Sequence, residues 1–224
     1  MATTAQVFEG FRREAIQFLA DLAENNERAW FQPRKADYER LLKDPLEALC
    51  IALDEAFRSR GIPLGADPAR SPFRIYRDVR FSKDKSPYKT NIGASFPYTD
   101  GHADAGGYFH LAPGEIYVGG GMWHPDRSRL AAWRAVVDRG VGLEALDDTA
   151  FVATFGHVGG DRLSRVPQGY PKDHPRAELL MLKDVTFGRR LSDDDAMSAG
   201  LPDVLADDFA AAVPVFRLLG SLPS

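Results

Sequence analysis

A chain of 224 residues is the length of one large domain, and it can bury a stable hydrophobic core without disulfides or metal ions. Its hydrophobic fraction of 44% and charged fraction of 27% exclude a disordered chain, a collagen-like chain and a disulfide-rich scaffold. The net charge of -4 excludes a protein whose whole surface binds nucleic acid or an anionic membrane.

The sequence predicts a cytoplasmic protein without membrane association. Residues 1–10 lack the basic and apolar stretches of a signal peptide, and no window approaches 18 consecutive apolar residues. The one cysteine, Cys50, cannot form an intramolecular disulfide, and its apolar neighbours Leu49 and Ile51 predict a buried thiol.

The first third of the chain has helical patterns. Apolar residues recur at helical spacing over residues 7–24, and residues 34–43 are predicted to be another helical piece. The sequence Asp44-Pro45-Leu46-Glu47 then predicts a helix start with Asp44 as its cap, and Gly61 is expected to end this helix.

From Phe73 the hydrophobic period changes to two, which is typical of strands. Strands are predicted at about residues 73–81, 91–98, 107–111 and 115–119, with the last two joined by a turn at Pro113-Gly114. In this hairpin Tyr108 would face Gly119 and His110 would face Tyr117 on a polar face, while the opposite face is apolar.

Helical patterns return in the second half of the chain. Asp126 is the predicted cap of a helix that Gly140 ends, and a shorter helix is predicted at 143–155. Residues 156–177 read as a surface loop, and a short helix is predicted near 203–212. We therefore expect a single α+β domain over residues 1–224, in which a mostly antiparallel sheet packs against N-terminal and central helices.

Residues 74–89, called the basic segment below, carry an unusual charge. Six basic and two acidic side chains give this segment +4, and because the whole chain carries -4, the other residues sum to -8. The basic residues are Arg74, Arg77, Arg80, Lys83, Lys85 and Lys89, and the acidic residues are Asp78 and Asp84. Like charges at this density need compensating anions, which are either the protein's own carboxylates or the phosphate or carboxylate groups of a ligand.

The strand pattern places Arg74, Asp78 and Arg80 on one face, where the arginines should lower the pKa of Asp78. Arg77 falls on the other face and is expected to snorkel or to pair with a buried acid. Together with the hairpin, this pattern predicts a concave floor, left open by strand glycines such as Gly93 and bordered by a lysine rim. The floor would be lined by Arg74, Asp78, Arg80, Tyr108, His110 and Tyr117, and the rim by Lys83, Lys85 and Lys89.

The predicted roles follow from the side-chain types. The candidate catalytic residues are His110, Asp78 and Tyr88. His110 is the candidate proton carrier, Asp78 would orient the arginines, and Tyr88, like Tyr117, would donate a hydrogen bond. The candidate ligand-binding residues are Arg74, Arg80, Lys83, Lys85, Lys89, Tyr108, Tyr117 and Gly119.

The sequence lacks the usual fingerprints of phosphate loops, dinucleotide-binding folds, zinc proteases and serine hydrolases, so no cofactor is predicted. His102 and Asp104 have the spacing of a metal-binding pair, but no two further ligands accompany them, and no metal site is predicted. The oligomeric state is not indicated.

At this point the residues resemble a known family. The run from Phe73 to Thr90 is similar to the signature of the domain-of-unknown-function 2461 family, as are Asn25-Asn26, Gly119-Gly120-Gly121-Met122-Trp123 and the stretch from Arg165 to Tyr170. The resemblance implies one domain covering nearly the whole chain, in soluble bacterial and fungal proteins without an established activity. It assigns no catalytic or binding residues.

Three functions are compatible with these patterns. The first is binding of a small phosphorylated or carboxylated ligand at the basic segment, with enzymatic activity left open. The second, less favoured, is nucleic-acid binding, since Phe73, Tyr76 and Phe81 interleave with the basic residues. The third is a structural or interaction protein, in which the basic segment forms salt bridges within the protein, for example to the acidic C-terminal third. In that case His110 would be a core histidine bonded to Tyr117.

Overall fold

The computed structural model describes residues 7–102 and 104–223. The N-terminal third is helical, as predicted, although the first helix begins at Arg13 rather than near residue 7. Gly10 has a φ of 91°, a left-handed conformation that favours glycine, and Arg12 is extended, so the chain enters the helix only after these residues. Phe8 and Phe11 are nevertheless buried. The helical pieces are α1 (Arg13–Glu24), α2 (Arg28–Phe31), a 3-10 turn at Gln32–Arg34, α3 (Lys35–Tyr38), a π-helical turn at Glu39–Lys43 and α4 (Asp44–Arg60).

The two ends of α4 differ in how well the sequence predicted them. Asp44 does not cap this helix, because the chain is already helical through Lys43 and the helix continues from the π-helical turn. Gly61 does end it, with a left-handed φ of 65° that suits glycine. Cys50 lies on α4 and is buried, and burial raises the pKa of its thiol to about 12, so this thiol is unreactive at neutral pH.

In the described residues an antiparallel sheet of four strands confirms the predicted α+β class. The strands, in their order across the sheet, are β1 (Ile92–Pro97), β2 (Ala105–Ala112), β3 (Glu115–Met122) and β4 (Val185–Arg190). The predicted hairpin is confirmed with its register, since Tyr108 is paired with Gly119 and His110 with Tyr117. Gly114 has the positive φ that its place in the turn requires.

The predicted strand at 73–81 is wrong. This stretch is an extended but irregular segment that pairs briefly with β1, through the amide of Phe73 and the carbonyl of Gly93. Ile75 to Arg77 pair instead with residues 87–89. This second pairing stops beyond Arg77, where the Asp78 carboxylate accepts from the backbone amide of Arg80 and so competes with a strand partner for that donor. The alternation of apolar and polar residues does not match the observed burial either, since Ile75 is buried whereas Phe81 is 96% exposed.

The second half contains the predicted helices, with changes at their ends. Asp126 caps α5 and Gly140 ends it, as predicted, while the predicted helix at 143–155 is divided into two pieces at Asp148. The final helix runs much further than 203–212. The elements are α5 (Arg127–Arg139), a 3-10 helix at Leu143–Asp147, α6 (Thr149–Phe155), α7 (Ala177–Leu180), α8 (Asp193–Met197) and α9 (Leu201–Gly220).

The sheet has an apolar face and a polar face. Helices α1, α4, α6 and α9 pack on the apolar face, where Phe109 stacks on Phe11 and Phe187 contacts Phe216. Tyr108, His110 and Tyr117 alternate with these buried positions and lie on the polar face. In the described part of the chain no helix, α9 included, is long and apolar enough to cross a membrane.

Candidate functional site

The basic segment is held against the end of α1 by an asparagine. The side chain of Asn26 binds both backbone groups of Tyr88, donating to its carbonyl at 3.0 Å and accepting from its amide at 3.0 Å. The Tyr88 ring stacks on Phe31 with 4.1 Å between ring centroids. Further hydrogen bonds join Arg77 to Pro87 and Lys89 to Ile75, so the two ends of the segment lie side by side. Residues 78–86 between them form a loop, called the outer loop below.

A polar groove of about 300 Å³ lies between this segment and the C-terminal end of α1. It is lined by Ala23, Asn26, Arg77, Asp84, Ser86, Tyr88, Lys89, Thr90 and Asn91. Below, these residues are called the groove. Most of them are amides, hydroxyls and charged groups, which favours a polar ligand over an apolar one.

Arg77 and Asp84 neutralise one another in the groove. Their side chains form an ion pair, and Asp84 also accepts from the amide and hydroxyl of Ser86, which together hold the pKa of Asp84 well below its usual range. The prediction that Arg77 pairs with a buried acid is wrong, because the Asp84 side chain is exposed. The interaction was not anticipated, since it depends on the loop bringing together residues seven apart.

Lys89 is the second cation of the groove, and it is half-buried. Its Nζ lies 5.1 Å from the centre of the Phe73 ring. Burial lowers the pKa of Lys89, and the nearby charge of Arg74 lowers it further. Lys89 makes no ion pair with any carboxylate of the described residues, so the positive charge of the groove is not fully compensated.

Asn91 connects the groove to the polar face of the sheet. Its side-chain amide lies 3.3 Å from Nδ1 of His110, and the hydroxyl of Tyr108 lies 2.9 Å from the same nitrogen. Because an amide nitrogen only donates, Nδ1 is assigned as the acceptor and the proton of neutral His110 lies on Nε2. Burial lowers the pKa of His110, against a smaller opposing effect of Glu115, so the neutral imidazole is favoured.

The expected hydrogen bond between His110 and Tyr117 does not form. The hydroxyl of Tyr117 instead donates to the carbonyl of Phe187 at 3.2 Å, across the neighbouring strand. His110 is bonded to Tyr108, two residues away on its own strand.

The strand glycines do not leave open space on the polar face, as the sequence suggested. A Cβ at Gly119 would come within 2.9 Å of the Tyr117 ring, and a Cβ at Gly93 within 3.2 Å of the Tyr108 hydroxyl. The two tyrosine rings therefore lie against the sheet where the glycines have no side chains. Burial raises the pKa of both tyrosines, so their hydroxyls stay protonated at neutral pH.

Hydrogen bonds and ion pairs among the described residues do not join the six residues of the predicted floor into one site. Asp78 and Arg80 bind each other in the outer loop, with 2.6 Å between Oδ2 and Nη2, and hydrogen bonding to Arg80 lowers the pKa of Asp78 as predicted. In the described residues no hydrogen bond or ion pair connects this pair to Tyr108, His110 or Tyr117. The rim is divided as well, since Lys83 is exposed, Lys85 donates to the carbonyl of Val79, and Lys89 lines the groove.

The basic segment does not pair with the acidic C-terminal third in the part of the chain that the structure describes. Its ion pairs are internal, joining Arg77 to Asp84 and Arg80 to Asp78. The C-terminal acids have other partners. Asp203 and Asp207 bind Arg60, Asp208 binds Arg189, and Asp195 takes part in a capping box with Ser192. The remaining basic side chains, Arg74, Lys83, Lys85 and Lys89, form no ion pair among the described residues.

Tyr88 is a core residue with an unusual hydroxyl. The residue is 1% exposed, and its hydroxyl is the one buried side-chain polar atom in the described residues that has no hydrogen-bond partner there. This placement fits a structural position better than the predicted hydrogen bond to a ligand. The residue also lines the groove, and its backbone carbonyl is held there by Asn26.

Removing the Tyr88 hydroxyl is expected to stabilise the protein. A buried polar atom without a partner is costly, so Tyr88→Phe should raise the free energy of unfolding by about 1 kcal/mol, measured by urea denaturation. Tyr117→Phe is the matched control, because its hydroxyl has a partner and its loss should destabilise the fold by a similar amount. A loss of stability in both variants would contradict the prediction.

Sequence patterns missed Asn26 and Asn91 as parts of the site. Asn26 was named as part of the Asn25-Asn26 pair that resembles the family, and its partner Tyr88 is 62 residues away. Among the described residues, no group of three or more His, Cys, Asp or Glu side chains could hold a metal ion. Asp104, half of the metal-like pair, is bound by Arg129.

Comparison with known proteins gives a family but no activity. A search of the curated proteins finds no match, and a search of the solved structures finds none either. A family model described as conserved hypothetical protein (DUF2461) matches residues 14–217, a range that includes the groove, the sheet and most of α9. The chain therefore belongs to the DUF2461 family of conserved hypothetical proteins.

Proposed function

We propose that this protein binds a small ligand that carries a phosphate or carboxylate group, and that the ligand occupies the groove. The observation that carries the proposal is Lys89, a half-buried cation that lines the groove and lacks a carboxylate partner among the described residues. Burying an ammonium group without an anion is unfavourable, and a bound anion would remove that cost.

The other polar groups of the groove suit an anion. The hydroxyl of Thr90 and the guanidinium N–H groups of Arg77 that Asp84 does not use can each donate a hydrogen bond, whereas the Ser86 hydroxyl already donates to Asp84. Arg77 and Lys89 together outweigh the one carboxylate that lines the groove. The groove therefore offers donors and a net positive charge to a ligand of this kind.

The predicted ligand-binding residues outside the groove would act at a distance. Arg74, Lys83 and Lys85 belong to the same basic segment as Arg77 and Lys89, and they add positive charge that pairs with no carboxylate of the described residues. Such a field raises the rate at which an anion arrives, and salt screens it. His110 reaches the groove through Asn91, so in this proposal it positions the Asn91 amide.

Phosphate-bearing ligands should stabilise the protein in a saturable way that depends on Lys89. At a concentration 100-fold above its Kd, a ligand adds about 2.7 kcal/mol, or roughly 5 to 11 °C in Tm for a chain of this size. We expect pyrophosphate or citrate, but not sodium chloride at equal ionic strength, to produce this shift. In Lys89→Gln the apparent Kd should rise tenfold or more.

Lys172→Gln is the matched control, since it removes the same charge from an exposed lysine in the loop at 156–177. Equal shifts in the two variants, or shifts that sodium chloride reproduces, would show nonspecific ionic stabilisation and contradict the proposal.

One observation favours nucleic-acid binding as a second candidate. Phe81 is 96% exposed in the outer loop, and the Arg80 guanidinium lies 5.9 Å from the centre of its ring. Exposed aromatic rings between cations are typical of proteins that stack single-stranded bases. This candidate predicts that a single-stranded oligonucleotide binds with steeply salt-dependent affinity, and that Phe81→Ala weakens it.

A further inference from the structure

We infer that the ligand of the groove is a nucleotide, with its phosphate at Lys89 and its base against the aromatic side chains next to it. The inference rests on the proposed function, because it needs an anion at Lys89. Besides the phosphate, the ligand would carry a planar ring. This ring would contact side chains outside the groove, next to the polar face of the sheet.

An unbroken row of side chains leads from the cation to the sheet. The Lys89 Nζ is 5.1 Å from the centre of the Phe73 ring, and the Phe73 and Tyr108 rings are 6.1 Å apart between centroids. The Tyr108 and His110 rings are 6.0 Å apart, and Asn91 leads from His110 back to the groove. A cation and several aromatic rings are therefore neighbours within one small surface.

Phe73 is the residue of this row most open to a ligand. Its side chain is 42% exposed, although a ring of this size is normally buried when the core has room. Its backbone is fixed, because its amide donates to the carbonyl of Gly93 on the edge of β1. A ring held on a fixed backbone at the edge of a sheet offers a preformed surface for stacking.

The Tyr108 ring is also held in place, by the sheet beneath it and by a hydrogen bond. Because Gly93 has no side chain, the Tyr108 ring lies against β1, and its hydroxyl is bound to His110. A planar base can stack on such rings regardless of its identity, since each base has a π face. In a nucleotide the sugar sets base and phosphate a few ångströms apart, which suits a cation placed next to a ring.

A sugar phosphate without a base meets only half of this surface. It would use Lys89 and the Thr90 hydroxyl of the groove but leave Phe73 exposed. A nucleotide would cover Phe73 as well. The structure therefore assigns the preference for a base to Phe73 and the need for a phosphate to Lys89.

The test compares adenosine monophosphate, ribose 5-phosphate, inorganic phosphate and a single-stranded oligonucleotide as ligands of the full chain by isothermal titration calorimetry. We expect adenosine monophosphate to bind at least about fivefold more tightly than ribose 5-phosphate, as stacking of one base implies. Phe73→Ala should abolish this difference without changing the Kd of ribose 5-phosphate. Lys89→Gln should weaken both ligands.

Two further variants keep the result interpretable. Phe73→Leu retains apolar bulk but no π face, so it should lose the same preference even if Phe73→Ala folds poorly. Phe81→Ala removes an equally aromatic, more exposed ring of the same segment and should leave both affinities unchanged.

The outcomes separate the inference from the proposal on which it rests. Equal affinities for adenosine monophosphate and ribose 5-phosphate, both reduced in Lys89→Gln, would overturn the nucleotide inference and leave the anion site in place. Failure of every phosphate compound to bind would overturn the anion site as well. Tighter binding of an oligonucleotide, lost in Phe81→Ala, would replace the inference with single-strand binding.

Discussion

Replacing Arg129 with methionine is expected to lower the free energy of unfolding by about 3 to 5 kcal/mol, or roughly 6 to 20 °C in Tm. The Arg129 side chain is 4% exposed and binds both oxygens of Asp104, at 2.8 and 2.9 Å. It also donates to the carbonyl of Leu219 at 2.7 Å and to that of Leu222. Methionine fills similar volume but removes the donor to the Leu222 carbonyl and to the carboxylate, while the Leu219 carbonyl keeps the backbone amide of Leu222 as a donor.

Thermal and urea denaturation of Arg129→Met and of Arg139→Met measure this effect against a control. Arg139 lies in the last turn of the same helix and is exposed, so its replacement should cost well under 1 kcal/mol. A similarly small loss for Arg129→Met would show that the bonds from α5 to the end of α9 contribute little. Asp104→Asn keeps an acceptor for the guanidinium, and a loss intermediate between the two is expected.

The sequence predicted the elements whose folding is decided by nearby residues. The hairpin of β2 and β3 was predicted with its register, because Pro113-Gly114 determines the turn and the turn determines which residues face each other. Gly61 and Gly140 were identified as helix ends for the same local reason, the left-handed conformation that glycine adopts easily.

Two strand predictions failed because strand formation depends on distant partners. The segment at 73–81 alternates like a strand, but Asp78 takes the Arg80 amide and the loop folds back on Pro87. The strand β4 at Val185–Arg190 was not predicted. It becomes a strand through pairing with β3, nearly 70 residues earlier, where Gly119 and Gly188 face each other.

The candidate site was predictable in its charge but not in its shape. The excess of basic residues could be counted, and the structure leaves four of these side chains without a carboxylate partner among the described residues. The position of the groove could not be derived, because it depends on the contact between Asn26 and Tyr88 across 62 residues. The hydrogen-bond partner of His110 could not be derived either, because it is Tyr108 on the same strand and not the residue that the register places opposite His110.

The acidic and the basic side chains of this protein are concentrated in different parts of the chain. The acidic residues near the C-terminus are bound to Arg60 and Arg189 or cap a helix, so they stabilise the packing of α9 and α8. They do not neutralise the basic segment in the described residues. An acidic body and a basic segment are thus separate features of one chain, and compensation of the segment is left to solvent ions or a ligand.

Introducing a methyl group at Gly107 is expected to destabilise the fold by about 1 to 3 kcal/mol through overpacking. Gly107 is buried on the apolar face of β2, and a Cβ there would lie 2.7 Å from the ring of Phe209 on α9. That ring cannot move aside easily, because it is fully buried and contacts Phe57 and Phe96 edge-on at 5.7 and 5.5 Å. Urea denaturation of Gly107→Ala measures the loss.

A double-mutant cycle with Phe209→Leu identifies the source of this effect. The three atoms nearest to the added methyl all belong to the Phe209 ring, so the shorter leucine should remove the clash. Gly107→Ala should therefore cost much less in the Phe209→Leu background, with a coupling of about 1 kcal/mol or more. Gly159→Ala is the control, since a Cβ there meets no atom within 4 Å. An equal cost of Gly107→Ala in both backgrounds would mean that backbone conformation, rather than the close approach of α9 to the sheet, requires this glycine.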